Sequence, residues 1–288
     1  MRSKTTLGQW ITYACLRLAV AVLGSMPESW MRRLGHLGGT VWFYLDRPRR
    51  RIVHRHLRRL GESPRRAREV FRHYGRYWAE SFWVRTRHFD MLWSTMEVDG
   101  TDNLKDSLAQ GKGVIVVLPH LGNWEFASLI ARHHGIPLVA VAERLANRKI
   151  TEWFTRQRNM FGIEIILTGR GNVRNRLRES LAEGKLVCLL SDRDLSGRGI
   201  EVEFFGEKTT LPAGPVVLAR ATGAPVLPVA IYFKDGPGHR ATIHPALDLT
   251  DMTPGEGAQV IASKLEEMIR EDPVQWHLVQ PNWPSDRR

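Results

Sequence analysis

Cysteine is scarce: Cys15 and Cys188 are the two in 288 residues, which excludes a disulfide framework and fits a reducing, cytosolic setting. Each sits among apolar neighbours, where a small buried side chain is expected. A G-x-S-x-G nucleophile elbow is missing, as are H-E-x-x-H and any Cys/His cluster, so neither a serine-hydrolase mechanism nor a resident metal is expected. Long apolar runs are missing too. The stretch ITYACLRLAVAVLG, residues 11–24, is interrupted by Arg17, whereas a bilayer span takes about 20 apolar residues. It reads as an amphipathic or buried helix. No small-x-small cleavage site follows before Pro27, which argues against a signal peptide.

Acid is the other scarcity, and it is local. Residues 1–90 hold 19 Lys/Arg against 6 Asp/Glu, while residues 91–288 hold 23 against 24, so the first third carries the whole formal net charge of +12. A basic region on a near-neutral body calls for an anionic partner, either nucleic acid or an anionic membrane surface. The run RPRRRIVHRHLRRL suits both, but no zinc-finger, RNP or other reading motif accompanies it, which favours the membrane and a protein with no nucleic-acid partner. Between residues 30 and 89 apolar residues recur at helical spacing among arginines. Val70, Phe71, Tyr74, Tyr77, Trp78, Ser81 and Phe82 form one such stripe. Periodic aromatic faces usually bury in a core, yet rings beside arginines also suit an interfacial helix.

From Met96 the texture changes. Short apolar runs at 114–118, 137–142, 163–168, 186–191, 202–205 and 225–233 alternate with helix-length segments at 123–134, 145–160 and 173–183, and a last helix is expected over 256–271. Such alternation predicts an α/β fold with a largely parallel central sheet flanked by helices, and sites then gather at the carboxyl ends of strands. The organisation expected is a basic, amphipathic, membrane-docking helical region over 1–90 and an α/β core over 91–288, compact as one unit.

The chemistry concentrates in GVIVVLPHLGNWE, residues 113–125. His120 follows a strand directly, and Asn123 is a good N-cap for the helix beginning at Trp124. His120 and Glu125 are five residues apart, about 140° around a continuous helix, so they cooperate only if His120 precedes the helix and folds back over its end. There an imidazole, a carboxylate and backbone N–H groups would suit proton abstraction from a hydroxyl and stabilisation of an oxyanion. Asp192 and Asp194, with Arg193 between them, lie at a second strand end and suggest either a site or a salt-bridged turn. Whether Asp192 or Glu125 is the direct partner of His120 stays open.

The strings PHLGNWEFA and LLSDRDLSGRGIEVEFFGEKTTLPAGPVVLARATGAPVLPV, in that order, closely resemble the bacterial lipid A biosynthesis acyltransferase family, and within it the actinobacterial phosphatidylinositol mannoside acyltransferases. The resemblance runs from about residue 8 to about residue 285. No FPEGT-type block of the glycerol-phosphate acyltransferases occurs, which lowers the glycerolipid reading. The resemblance implies a glycerol-phosphate acyltransferase-like α/β fold, peripheral attachment to the cytoplasmic face of the inner membrane, and a hydrophobic tunnel for acyl-CoA, with palmitoyl-CoA as the expected donor and no cofactor. It implies His120 as the catalytic histidine, Glu125 as the acid of H-x4-[DE], and Asp192 at the place of a glutamate that pairs with the histidine, one methylene shorter here. It further implies Glu143, Arg144 and Arg158 as groups that hold acceptor hydroxyls or phosphate, and Arg193 stands with them as a substrate-binding candidate. Acylation of lipid A or of a glycerolipid is the neighbouring alternative.

Overall fold

In the order of the chain, the helices are α1 (Leu7–Gly24), α2 (Glu28–Leu45), α3 (Arg47–Arg59), α4 (Ala67–Trp83), α5 (Phe89–Ser94), α6 (Thr101–Ala109), α7 (Ala127–His133), α8 (Arg148–Met160), α9 (Val173–Ala182), α10 (Gly214–Thr222) and α11 (Pro254–Glu271). The strands are β1 (Met96–Asp99), β2 (Val114–Leu118), β3 (Leu138–Ala142), β4 (Ile163–Leu167), β5 (Leu186–Leu190), β6 (Ile200–Phe204), β7 (Glu207–Leu211), β8 (Val226–Phe233) and β9 (His239–Ile243). The computed structural model describes residues 6–169, 172–195, 197–249 and 251–287.

All five residues of VIVVL are buried, because a central strand covered on both faces has no solvent side to alternate towards. The sheet order is β1-β9-β8-β2-β5-β3-β4, and β8, β2, β5, β3 and β4 run parallel. One face, with Ile115, Val117 and Val187, packs on residues of α9, α10 and α11. The other, with Val114, Val116 and Leu118, packs on residues of α5, α6 and α7. The protein is therefore α/β, with a mostly parallel central sheet flanked by helices.

Two local expectations change, and two strands are added. The run at 202–205 lies in β6, which leaves the main sheet and pairs with β7 as a separate antiparallel hairpin. Strands β1 and β9 were not legible as apolar runs. His239–Ile243 alternates buried with half-buried positions and pairs antiparallel with β8, the one antiparallel step in the large sheet. Asn123 caps nothing: a short 3-10 turn from Trp124 to Phe126 precedes α7, and the Asn123 amide turns instead to Glu80.

Of the two readings of the first helix, amphipathic or buried, the buried one does not hold. It is 18 residues long with a mean hydropathy of 1.4, long and apolar enough to cross a membrane by length and composition. Only Val20 and Gly24 in it are buried, so it is not a core helix, and Cys15 is exposed. One face is tied down: Arg85 and Arg87 donate to the carbonyls of Val20 and Gly24, and the Lys149 ammonium lies 3.7 Å from the Trp10 ring centroid. The other face presents Leu7, Ile11, Leu18 and Val22 to solvent, and Trp30, Leu37, Val41 and Leu45 of α2 are exposed as well.

Helices α2 and α4 approach backbone to backbone at Gly35, Gly39 and Gly75. A Cβ on Gly39 would lie 2.0 Å from the Phe71 carbonyl oxygen, and one on Gly75 would lie 2.1 Å from that of Gly35. Beside this contact the His36 and His73 rings meet edge-on with centroids 6.0 Å apart. Burial and the neighbouring Arg72 and Arg76 lower His36 to about 4, while burial, His36 and the same arginines lower His73 to about 3. Both are neutral in the folded protein at neutral pH. Between pH 6.5 and about 4 the unfolded chain binds protons that the folded chain refuses, so stability is full above pH 6.5 and declines as pH falls through that window. Urea midpoints at pH 7 and pH 5 should therefore separate, and His73→Phe should narrow the gap. A gap unchanged by His73→Phe would remove His73 from this role.

Candidate active site

The register of two neighbouring strands builds the site. Leu118 of β2 lies opposite Leu190 of β5, and the Ser191 N–H continues the ladder by donating to the Leu118 carbonyl at 2.9 Å. Two residues further on, His120 and Asp192 therefore leave adjacent carboxyl ends side by side. His120 Nδ1 donates to Asp192 Oδ1 at 2.6 Å, and the His120 backbone N–H donates to Oδ2 at 3.1 Å. The Trp276 indole N–H reaches the same Oδ2 at 2.8 Å. Asp192 is fully buried, whereas the His120 side chain keeps 28% exposure, which leaves the imidazole open to a substrate.

A buried carboxylate persists only if donors outweigh its lost hydration. Burial alone would raise the Asp192 carboxyl, but the His120 imidazole, the Trp276 indole and the His120 amide hold it below its ordinary value. The ionised carboxylate fixes the Nδ1–H tautomer and leaves Nε2 as the proton acceptor. Such a pair is equipped for general-base work on a hydroxyl or amine.

Glu125 has other partners. Arg158 Nε donates to both of its oxygens at 3.1 Å, Arg158 Nη2 donates to Oε1 at 2.6 Å, and the Tyr77 hydroxyl lies 3.4 Å from Oε1. The Trp124 ring stacks on Tyr77 at 4.1 Å and meets the His120 imidazole edge-on at 5.0 Å. Beneath it lies an apolar pocket lined by Leu118, Leu138, Ala140, Ile163, Ile165, Cys188 and Leu190, with Glu125, Ser128 and Arg158 as its polar lining. Burial pushes the Cys188 thiol up to about 12, so it is no nucleophile at neutral pH.

The remaining sequence candidates scatter. Glu143 and Arg144 are exposed just beyond the end of β3 and make no ion pair among the described residues. Arg193 is half-buried and, with Arg49, acts electrostatically on the Tyr74 hydroxyl. Asp194 takes the structural alternative: it accepts from Gly199 N at 2.7 Å and from the Thr210 hydroxyl at 3.2 Å, tying its loop to β7. Among the described residues no group of three or more His, Cys, Asp or Glu side chains could hold a metal ion.

Sequence reasoning missed the supports. Glu80 of α4, lowered to about 2 because His239 and Arg76 outweigh its burial, accepts from Asn123 Nδ2 at 2.7 Å and so holds the turn from below. On the other side residues 275–282 cross the same turn. Gly122 N donates to Gln275 O at 3.0 Å, His277 N donates to His120 O at 2.8 Å, and Asn282 Nδ2 donates to Asp192 O at 3.1 Å. The clustered Trp and Pro residues near the C-terminus were the one available signal.

Comparison with known proteins places the chain in a family. Residues 2–285 match the family model described as bacterial lipid A biosynthesis acyltransferase. A phosphatidylinositol mannoside acyltransferase of Mycobacterium tuberculosis (strain CDC 1551 / Oshkosh) is 37% identical over 218 residues, which cover 74% of this chain and 68% of the relative. The protein of the same name from Mycolicibacterium smegmatis is 35% identical over 216 residues, covering 74% and 70%. A lipid A biosynthesis acyltransferase of Haemophilus influenzae is 26% identical over 183 residues, covering 62% and 56%. With a match along nearly its whole length, this chain belongs to the bacterial lipid A biosynthesis acyltransferase family and is an acyltransferase.

Proposed function

We propose that the protein transfers a fatty acyl chain from acyl-CoA, with palmitoyl-CoA as the expected donor, to a mannose hydroxyl of a phosphatidylinositol mannoside. The observation that carries the chemistry is the 2.6 Å contact between His120 Nδ1 and the buried Asp192, beside an apolar pocket. The acceptor rests on the names of the mycobacterial relatives. In this reading His120 Nε2 takes the acceptor proton as the hydroxyl oxygen attacks the thioester carbonyl. The tetrahedral intermediate then collapses, the C–S bond breaks, and the imidazolium returns the proton to the departing thiolate. Products are the ester and free CoA, and no enzyme nucleophile is needed. Asp192 steadies the imidazolium. Arg158, oriented by Glu125, offers a fixed cation for acceptor or donor phosphate, and Arg193, Glu143 and Arg144 are proposed as further substrate-binding groups.

The fold assignment that accompanies this reading is glycerol-phosphate acyltransferase-like, with residues 1–90 as a basic membrane-docking region on the core at 91–288. Its support is that α1 and α2 expose apolar residues and the same region exposes Arg47, Arg51, Arg58, Arg65, Arg68 and Arg72. Apolar side chains would enter the headgroup boundary while guanidinium groups meet lipid phosphate, which gives peripheral attachment at the cytoplasmic face of the inner membrane.

One experiment tests the whole reading. The purified protein is mixed with palmitoyl-CoA and anionic vesicles containing the mannoside, a lipid A precursor or a glycerol-phosphate acceptor. The expected result is release of CoA and a palmitoyl mass increment on the mannoside alone, with the protein floating in the vesicle fraction. An increment on the lipid A precursor or on the glycerol-phosphate acceptor instead would replace the acceptor assignment.

A further inference from the structure

We propose that Trp276 is the positioning residue of the His120–Asp192 pair, held in place by a C-terminal strap, residues 275–286, laid across the active-site turn. The inference rests on His120 acting as the base.

A carboxylate orients an imidazole only if its own rotation is stopped. Asp192 Oδ1 receives His120 Nδ1–H, and Oδ2 receives two further N–H groups, from the His120 backbone and from the Trp276 indole. The backbone donor belongs to His120 itself. Trp276 supplies the donor that comes from outside the pair. Its indole is 3% exposed and packs on His56, Phe205 and Trp283, with ring centroids 5.5, 5.7 and 6.3 Å away, so its N–H has a fixed direction.

The strap is fastened at both ends. Near its start Leu121 bridges Trp276, and His277 both donates its N–H to the His120 carbonyl and reaches the Gly122 carbonyl through Nε2 at 2.9 Å. At its end Asp286, whose side chain is fully buried, accepts from His56 Nε2 at 3.0 Å, pairs with Arg59 at 2.8 Å, and takes the backbone N–H groups of Asn282 and Trp283. Helix α3 thereby anchors the segment that aims the indole. The titratable groups around Asp192 are His120, His277 from the strap, Glu125 with Arg158, and Arg193 next in the chain. Burial lowers His277 well below its ordinary value, which keeps it neutral.

Trp276→Phe keeps a ring in the aromatic packing and deletes the N–H. With palmitoyl-CoA and mannoside vesicles, kcat should fall about 10- to 100-fold while KM stays within about 2-fold, the size expected for one hydrogen bond to a charged group. The acidic limb of the kcat profile, which reports protonation of the base, should move to higher pH, because a carboxylate that has lost the indole N–H keeps more negative charge facing Nδ1–H and holds the imidazolium more strongly. A purely structural role would lower the amount of active enzyme without moving that limb. Unchanged kcat and an unmoved limb would overturn the proposal. In the unaltered protein the Trp276 indole 15N–1H resonance should titrate with the midpoint of the acidic limb, a readout that needs no variant to fold. A resonance flat across that limb would also overturn it. The underlying reading fails separately: if His120→Ala retains turnover, the base assignment falls whatever Trp276→Phe does.

Discussion

Asp192→Asn is expected to lower turnover by about ten-thousand-fold with little change in KM, the scale seen when a histidine base loses its orienting carboxylate. An amide at this position presents either an N–H₂ that cannot accept from Nδ1 or a neutral oxygen that cannot steady the imidazolium. Glu125→Gln should behave differently. Glu125 meets Arg158, not His120, and the pair is 13% and 24% exposed, so the loss leaves a largely buried guanidinium without its counter-charge. The expected result is a raised KM and a lower melting temperature, with kcat less affected than in Asp192→Asn. Parallel steady-state measurements decide the matter: a larger loss of kcat in Glu125→Gln would reverse the assignment of the two carboxylates.

The second large effect is structural and separates adjacent glycines. Gly39→Ala puts a methyl within 2.0 Å of the Phe71 carbonyl oxygen, which only separation of α2 from α4 can relieve. Overpacking of this kind costs about 3 kcal/mol and sometimes more. Gly38 has no atom within 4 Å of its added Cβ, so Gly38→Ala should gain up to about 1 kcal/mol from helix propensity alone. Thermal unfolding of the two variants should move in opposite directions. Equal shifts would mean that the close α2–α4 contact does not hold in solution. Because Tyr77 and Glu80 of α4 touch Glu125 and Asn123, the same lesion should also loosen the active-site turn.

What could be read in the chain beforehand followed the periodicity of buried elements. Parallel strands covered on both faces announce themselves as continuous apolar runs, and the placement of His120 and Asp192 at strand ends followed from that. The sheet register then decided what spacing left open, since Leu118 opposite Leu190 brings Asp192 to the imidazole, while Glu125 meets Arg158. Strand β9 was missed because its residues, HRATI, carry no apolar run and owe their strand conformation to pairing with β8. The Asn123 side chain makes no cap because the fold brings a buried carboxylate, 43 positions earlier, to its Nδ2 and thereby sets the orientation of the amide, which local sequence preference does not show. Trp276 could not be found locally at all: its partner is 84 residues away, and only the fold brings the two together. The exposed first helix escaped for a related reason, since an apolar stretch does not say whether protein or lipid covers it.

The most direct test is single-turnover palmitoyl transfer by His120→Ala, compared with the unaltered enzyme on vesicles carrying the mannoside, with folding of the variant checked by its melting temperature. The expected result is a folded protein that binds vesicles but neither releases CoA nor adds a palmitoyl mass to the acceptor. Transfer at the unaltered rate would contradict the account, whatever the identity of the acceptor.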